Sequence, residues 1–264
     1  MQSLRRWGSE MTTMASAASD KPTIVLVHGA FQDGKNTWSR VAPRLNAKGY
    51  KTFVVTLPGR DHDGVDVGKL SLEIYRDTVV KEMNATKDPV ILVGHSFGGI
   101  TISNVAEAAP DKIKALVYLS AYLPGDGQSL QSLAATDTDS GLAVPGNFIL
   151  SADYRLASIK DEAKADIFAN DANAPDRAAI VASLIPEPAG PQTVAVKLSA
   201  ERFGKVSKYY IETTKDHCVS PALQERMIKA TPVKAVFKLD AGHASYITRP
   251  DELADIIETI AREK

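Results

Sequence analysis

Short runs of β-branched and other apolar residues alternate with amphipathic stretches along most of this sequence. Four such runs are expected to be strands: residues 23–27 (TIVLV), 51–56 (KTFVVT), 90–93 (VILV) and 113–119 (IKALVYL). The stretches between them carry apolar residues at helical spacing: 36–48, 72–83 and 97–109. Runs that are apolar at every position are typical of strands buried on both faces of a sheet. The alternation therefore predicts an α/β fold with a mostly parallel sheet flanked by helices.

The alternation stops over residues 122–205. This stretch is rich in Ala, Asp, Ser and Pro, with helix-like pieces such as 161–170 and no clear strand. The pattern then resumes, and the predicted elements are 208–211, 221–230, 233–239 and a final helix carrying Leu253, Ile256, Ile257 and Ile260. We expect a core of residues 21–121 and 206–264, with a helical cap, 122–205, inserted at the carboxyl ends of the strands, where α/β sheets bind ligands. Residues 1–20 are expected to be a disordered tail.

The net charge and the cysteine content limit the classes of binding partner and the cellular compartments that the sequence favours. The 264 residues carry a net charge of −1, which gives no electrostatic reason to bind nucleic acid or an anionic membrane. The single cysteine, Cys218, cannot form an internal disulfide. No apolar run reaches the roughly 18 residues of a membrane span, and the N-terminal residues lack the apolar core of a signal peptide. We expect a cytoplasmic protein with a small uncharged molecule as its partner, and leave its oligomeric state open between monomer and homodimer.

Residues 94–98 read GHSFG, a G-x-S-x-G pattern that Gly99 extends. The pentapeptide alone is weak evidence, but here it follows the run VILV directly and precedes a predicted helix, which is the setting of a nucleophile elbow. A serine on so sharp a turn is held in a strained backbone conformation that projects its hydroxyl away from the sheet. The helix that follows directs its N-terminal amides at an oxyanion formed on the attacked carbonyl. Ser96 is therefore the predicted nucleophile.

A serine nucleophile needs an adjacent base, and an acid orients that base. In this strand–turn–helix arrangement the chain order is serine, acid, histidine, so the base is expected late in the sequence. His243 follows the strand that ends near Leu239, and Asp216 follows the strand before it. These two residues are the predicted base and acid. The alternatives for the acid are Asp126, after the fourth strand, and Asp240, which is close to His243 along the chain.

The other histidines and the cysteine are expected to have local roles. His28 and His95 lie inside the turns that hold the predicted site, where packing or hydrogen bonding explains them. His62 lies in the charged turn RDHDG, which could suggest a metal site, although a charged turn explains it equally well. Cys218 is expected to be a packed thiol, because no strand–turn–helix presents it as a nucleophile.

Two backbone amides are predicted to face the Ser96 hydroxyl and to form an oxyanion hole. The first is the N–H of Phe97. The second is the N–H of Ala30, in the turn after the first strand, where Gly29 lets the backbone approach closely. The residues that flank strand ends at this face are the expected walls of the substrate pocket: Phe31, Tyr122 and Leu123.

Four segments together resemble a known family: IVLVHGAFQDGKNTW, GHSFGG, YIETTKDHCVSPALQ and AGHASYITRP. They are similar to the α/β-hydrolase superfamily, and more narrowly to the branch of plant methyl-salicylate-type esterases, hydroxynitrile lyases and bacterial esterase relatives. The resemblance spans nearly all of residues 22–264 and is weakest in the cap. It implies an α/β-hydrolase fold, a triad of Ser96, Asp216 and His243, and an oxyanion amide at Ala30.

Two departures from the hydroxynitrile lyases favour hydrolysis. The lyases of this branch carry a lysine directly after the catalytic histidine, where this chain has Ala244, and a threonine where Ala30 stands. We therefore expect a serine hydrolase that cleaves a small carboxylic ester or lactone through an acyl-enzyme, with no cofactor and no metal. Two other interpretations stay open: a lyase or cofactor-free carbon–carbon bond-cleaving enzyme on the same scaffold, and a ligand receptor that hydrolyses slowly.

Overall fold

A parallel six-stranded sheet forms the centre of the computed structural model, which describes residues 21–60 and 63–263. The strands of the described residues are β1 (Ile24–Val27), β2 (Thr52–Val55), β3 (Val90–His95), β4 (Ile113–Leu119), β5 (Phe148–Leu150), β6 (Leu156–Ile159), β7 (Glu187–Pro188), β8 (Lys208–Thr213) and β9 (Ala235–Leu239). The central sheet has the order β2-β1-β3-β4-β8-β9, with parallel neighbours throughout. The predicted α/β fold is confirmed. The predictions for residues 1–20 and for His62 lie outside the described residues.

Helices cover both faces of this sheet. The α-helices of the described residues are α1 (Gly34–Thr37), α2 (Val41–Ala47), α3 (Leu72–Met83), α4 (Gly98–Ala108), α5 (Leu130–Ala134), α6 (Asp161–Ala169), α7 (Ala174–Ser183), α8 (Gly190–Thr193), α9 (Pro221–Ala230), α10 (Ser245–Thr248) and α11 (Pro250–Arg262). Helix α2 packs against α11, and α3 packs against α4. All residues of β1 and β3 are buried, which requires cover on both faces because successive side chains point to opposite sides. None of the described helices has the length and apolar character needed to cross a bilayer.

The helix expected over residues 36–48 is interrupted in the structure. Two helices, α1 and α2, lie there, separated by residues 38–40. The Asp33 carboxylate caps α1 by accepting the N–H of Asn36 at 2.7 Å. Pro43 lies in the first turn of α2, where its missing N–H costs no intrahelical hydrogen bond. The residues at helical spacing over 36–48 therefore belong to two short helices, and Pro43 lies where the sequence allows it, near a first turn.

The segment between β4 and β8 is not purely helical. Besides α5–α8 it contains a second sheet, in which β6 pairs antiparallel with β5 on one side and β7 on the other. The prediction of a helical cap without strands was therefore wrong in this respect. These strands have three, four and two residues, too few for a period-two pattern to stand out in the sequence. The bounds of the insertion, 122–205, stay a prediction.

The order of strands in the central sheet reverses at β1, which has β2 on one side and β3 on the other. Ligand sites of parallel sheets lie at such a point, outside the carboxyl ends of the strands. The register places Val27 opposite Gly94 and Thr213 opposite Leu239. The loops after β1, β3, β8 and β9 therefore leave the sheet at the same edge. The residues predicted to act together follow these four strand ends.

The central strands are expected to tolerate truncation poorly. Leu26 is fully buried in β1 and lies opposite Val54 of β2, which is 39% exposed. We expect Leu26→Ala to lower the free energy of unfolding by about 2–5 kcal/mol, because it leaves a cavity in a close-packed core. Val54→Ala is the matched control and should cost less than about 1 kcal/mol. Urea denaturation measures both, and equal losses would contradict the difference in burial.

Candidate active site

Ser96 lies on a sharp turn between β3 and α4. Its φ of +53° is in the left-handed region, which a residue with a side chain rarely adopts. The glycines two residues before and after Ser96 are required because a side chain would not fit at either position. A Cβ at Gly94 would lie 2.7 Å from the carbonyl oxygen of Gly98, and a Cβ at Gly98 would lie 2.8 Å from that of His28. The turn therefore has the strained backbone and the close packing of a nucleophile elbow.

The loop after β1 approaches Ser96 closely. A Cβ at Gly29 would lie 2.7 Å from the Cβ of Ser96, so a larger residue would not fit there. Ala30 follows and lines the same cavity as Ser96. Among the described residues, no acceptor takes the N–H of Ala30 or that of Phe97. Both predicted amides are therefore available to an oxyanion beside the serine.

Asp216 and His243 form a buried hydrogen-bonded pair. Nδ1 of His243 donates to Oδ2 of Asp216 at 2.8 Å, and both side chains are fully buried. Oδ1 of the same carboxylate accepts the N–H groups of Cys218 and Val219, at 2.7 and 2.9 Å. Oδ2 also accepts the hydroxyl of Thr213 at 2.8 Å. These donors hold the carboxylate in place, and the carboxylate in turn orients the imidazole and selects its tautomer.

The two alternative acids lie elsewhere. Asp240 is exposed and pairs with Lys215 at 2.8 Å. Asp126 is exposed and accepts the N–H of Leu198 at 2.8 Å. Of the three carboxylates considered from the sequence, the structure therefore brings one, the predicted acid, to the imidazole of His243.

His28 and His95 support the turns in which they lie. Nε2 of His28 accepts the N–H of Leu57 at 3.0 Å, so Nδ1 carries the proton and donates to the carbonyl of Gly29 at 2.8 Å. Nε2 of His95 lies 3.1 Å from the carbonyl oxygen of His243, and Nδ1 lies 3.1 Å from Oε1 of Gln32. Burial lowers the pKa of His28 to about 3 and holds the pKa of His95 well below its ordinary value. Burial therefore disfavours the protonated form of both rings.

His243 differs from these two histidines because a carboxylate faces it. Burial lowers the pKa of His243, but the charge of Asp216 and the hydrogen bond to it raise that pKa above its ordinary value. Nε2 is buried and has no hydrogen-bond partner among the described residues, so it forms no hydrogen bond with the Ser96 hydroxyl here. Catalytic hydrogen bonds are often long before substrate binds and tighten in the complex. Nε2 is the ring atom left to exchange a proton.

A cavity of about 710 Å³ opens beside Ser96. Two of the three predicted wall residues, Phe31 and Tyr122, line it, together with apolar residues of the inserted segment such as Leu142 and Phe168. Leu123 does not line it, which corrects the prediction. Its N–H lies 3.3 Å from Sδ of Met227 in α9, and its side chain is buried. The chain beyond the end of β4 therefore directs Tyr122 toward the cavity and Leu123 toward α9.

The cavity wall carries little charge. Among its lining residues the structure includes no lysine or arginine, and the carboxylate of Asp137 is its one acidic group. That carboxylate already accepts the N–H of Ser220 at 2.9 Å and the Ser220 hydroxyl. No group of His, Cys, Asp and Glu in the described part of the chain is arranged to hold a metal ion. The cavity therefore suits an uncharged, largely apolar ligand.

Two contributors to the site do not follow from the sequence motifs. Cys218 lines the cavity and adjoins the imidazole of His243, and burial raises its pKa, so it stays a thiol. The side chain of Gln32 accepts the N–H of Gly29 at 3.2 Å and donates to the hydroxyl of Tyr246 at 2.7 Å. The position of the cysteine two residues after the predicted acid is a usable signal. Gln32 carries no such signal, because its side-chain partner Tyr246 is 214 residues away along the chain.

The chain is similar to known proteins over most of its length. The model of the "Alpha/beta hydrolase family" matches residues 24–256. The putative chloroplastic methylesterase 14 of Arabidopsis thaliana is 30% identical over 251 residues, which cover 90% of this chain and 72% of the relative. The pyrethroid hydrolase of Sphingobium wenxiniae is 28% identical, covering 90% of this chain and 87% of that protein. The crystal structure of a pyrethroid hydrolase from Sphingobium faniae superimposes with a TM-score of 0.79 at 25% identity, covering 91% of this chain and 97% of that one.

The electrostatic pairing of Asp216 with His243 can be measured directly. We expect Asp216→Asn to lower the pKa of the His243 imidazole, because it removes the negative charge that raises it. At a pH between the two values, the ring is protonated in the unsubstituted protein and neutral in the variant. NMR titration of the imidazole resonances measures the pKa of His243 in both proteins. Asp240→Asn, on the neighbouring loop, should leave the titration unchanged, whereas a constant or higher pKa in Asp216→Asn would contradict the pairing.

Proposed function

This chain belongs to the alpha/beta hydrolase family, and on that premise we propose that it cleaves carboxylic esters through an acyl-enzyme on Ser96. Relatives named methylesterase and pyrethroid hydrolase support ester hydrolysis as the reaction class. The observation that carries the proposal is the buried hydrogen bond between His243 and Asp216, at the sheet edge where the strained serine lies. Isolated hydroxyls are poor nucleophiles, and an oriented base is what activates them.

In the first step the neutral form of His243 acts as the general base. Nε2 accepts the hydroxyl proton of Ser96 while Oγ attacks the ester carbonyl carbon. The carboxylate of Asp216, 2.8 Å from Nδ1, stabilises the imidazolium that forms. Nε2 then donates the proton to the departing alkoxide. The alcohol leaves, and the acyl group stays on Oγ.

The carbonyl oxygen becomes negative during this attack, and two amides are proposed to stabilise it. They are the N–H groups of Ala30 and Phe97, which no acceptor occupies among the described residues. Losing one such donor typically lowers kcat by about 10²–10³-fold, because the donors are preorganised and shielded from water. The first turn of α4 adds the positive end of its dipole at the same point.

A water molecule completes the proposed cycle. His243 takes a proton from the water as its oxygen attacks the acyl carbon, and a second tetrahedral intermediate forms on the same two amides. When this intermediate collapses, Nε2 returns the proton to Oγ of Ser96 and the carboxylic acid leaves. The reaction needs no reactant other than ester and water.

We propose that the substrate is an uncharged ester with a bulky apolar part. A volume of about 710 Å³ lies in the range of pockets that bury ligands of drug size. This supports a substrate larger than the small ester expected from the sequence. A carboxylate or phosphate on the substrate would meet no lysine or arginine among the described lining residues, and would lose its hydration without a charged partner.

Hydrolysis is favoured over the lyase interpretation by two positions in the site. Ala244, directly after His243, is fully buried and offers no charge to a departing anion. Ala30 offers its amide and no hydroxyl. With neither group available, the proton movements described for Ser96 and His243 account for an ester substrate more directly than for cyanide release.

The nucleophile assignment is tested with p-nitrophenyl acetate. The unsubstituted protein should show a burst of p-nitrophenolate equal to its active sites, and mass spectrometry of a quenched sample should detect an added acetyl group. Ser96→Ala should lose both, with kcat lower by at least about 10⁴-fold, because the attacking oxygen is gone.

Ser120→Ala is the matched control for this experiment. Ser120 is also buried, also has a positive φ, and follows the neighbouring strand β4, but it does not line the cavity. It should keep the burst and the acetyl adduct. A burst that survives in Ser96→Ala would overturn the proposed function.

The size of the substrate can be tested by filling the cavity. Ala134, in α5, lines the cavity, and Ala134→Trp should lower kcat/KM for p-nitrophenyl octanoate by at least about tenfold relative to p-nitrophenyl acetate, because the larger acyl group loses its space. Ala230→Trp, on the exposed end of α9, should leave the ratio unchanged. An equal effect of Ala134→Trp on both esters would contradict the assignment of this cavity to the acyl group.

A further inference from the structure

Glu187 is a charged residue of the inserted segment whose side chain is fully buried against the core. Its partner is Arg60, on the loop after β2, and Nη2 of Arg60 lies 2.5 Å from Oε2 of Glu187. The side chain of Arg60 is 1% exposed and that of Glu187 is 0% exposed. Nε of Arg60 donates to the carbonyl of Gln32 at 2.8 Å, and Nη1 donates to the hydroxyl of Tyr75 at 3.3 Å. The ion pair thus joins β7 to the loop after β1.

The same carboxylate contacts the backbone beside the oxyanion hole. Oε2 of Glu187 accepts the N–H of Phe31 at 2.9 Å. The N–H of Ile185, two residues earlier, donates to the carbonyl of Phe31 at 3.0 Å. Phe31 has a φ of +62°, a strained conformation for a bulky residue, so it persists because contacts hold it. One short stretch of the insertion supplies a contact on each side of this residue.

These contacts fix the direction of the Ala30 amide. Nδ1 of His28 donates to the carbonyl of Gly29 at 2.8 Å, which holds the peptide plane between Gly29 and Ala30. In a trans peptide the N–H points opposite to the C=O, so the N–H of Ala30 is directed away from His28. The next plane is held by the bond from Phe31 to Glu187. With both planes anchored, the direction of the Ala30 N–H is restricted.

We propose that Glu187 is a positioning residue of the oxyanion hole, which holds Phe31 so that the Ala30 N–H faces the oxyanion on Ser96; this inference rests on the proposed function. Arg60 neutralises the buried carboxylate, which would otherwise repel the negative charge that develops in the reaction. Stability alone gives little reason for the pair, because apolar side chains of similar size are often as stabilising in a core. The inserted segment thereby completes the catalytic site as well as covering it.

Two double variants separate the effect of losing the hydrogen-bond acceptor for the Phe31 N–H from the effect of losing the charges of the ion pair. Arg60→Met with Glu187→Leu removes the ion pair and the acceptor for the Phe31 N–H, without leaving a buried unpaired charge. Arg60→Met with Glu187→Gln removes the same charges but keeps an oxygen that can accept this N–H. Asp176→Asn is the control for attachment of the insertion, because Asp176 in α7 pairs with Arg40 of the core at 2.5 Å, away from the oxyanion loop.

The measurements are kcat and KM for p-nitrophenyl acetate, and inhibition by an alkyl trifluoromethyl ketone and by the matching carboxylic acid. The ketone forms an oxyanion on Ser96, whereas the acid does not. The Leu double variant should lose about 10²-fold in kcat and in affinity for the ketone, with KM and affinity for the acid within about threefold, as expected for a lost oxyanion donor. The Gln double variant should recover at least about tenfold of the loss in kcat, and Asp176→Asn should match the unsubstituted protein.

The inference is overturned if the two double variants have equal kcat, or if the Leu variant loses affinity for ketone and acid alike, as a general loosening of the fold would produce. Should the Leu variant fail to fold, Glu187→Asp gives the answer. It keeps the charge opposite Arg60 but withdraws the acceptor by one methylene, so kcat should fall at least about tenfold with KM unchanged; an unchanged kcat overturns the inference. Absence of an acetyl adduct in the unsubstituted protein would instead defeat the proposed function.

Discussion

The close approach of the first and third strands, at the point where the sheet order reverses, is the constraint on which the site depends. Gly29 and Ser96 lie so near each other that one added carbon on the glycine would overlap the Cβ of the serine. Because of this contact, Ala30 and Ser96 line the same cavity. The crowding continues below the serine, where Gly94 and Gly98 meet. Small residues here allow the ends of two parallel strands and the turn after each to approach closely.

The parts of the site that the sequence predicts are those fixed by local chemistry and topology. Ser96, Asp216 and His243 each follow a short apolar run, and parallel strands must end at the same edge of the sheet. Chain order alone therefore brings them to one edge, and the structure adds the 2.8 Å hydrogen bond between the last two. The amides of Ala30 and Phe97 follow in the same way, because each comes directly after a residue in a tight turn.

The parts that could not be predicted depend on contacts between distant segments. Glu187 lies in a proline-rich stretch with no pattern of its own, and its partner Arg60 is 127 residues away along the chain. The strands of the insertion have between two and four residues, so pairing rather than periodicity defines them. Leu123 was misplaced because the direction of a side chain beyond a strand end depends on the turn that follows. Local sequence propensity determines where helices and strands form, whereas packing between them determines which side chains reach the cavity.

Three buried imidazoles lie around Ser96, and their partners give them different functions. His28 contacts backbone groups, and His95 contacts a backbone carbonyl and the side chain of Gln32. Burial lowers the pKa of each, so neither gains a proton easily. His243 experiences the same burial, but the carboxylate of Asp216 raises its pKa above that of the other two. In the proposed mechanism the proton of the serine hydroxyl therefore passes to His243, where the negative charge of Asp216 stabilises it. Since burial disfavours a positive charge on those two rings, the proposed stabilisation of an oxyanion depends on the backbone amides of Ala30 and Phe97.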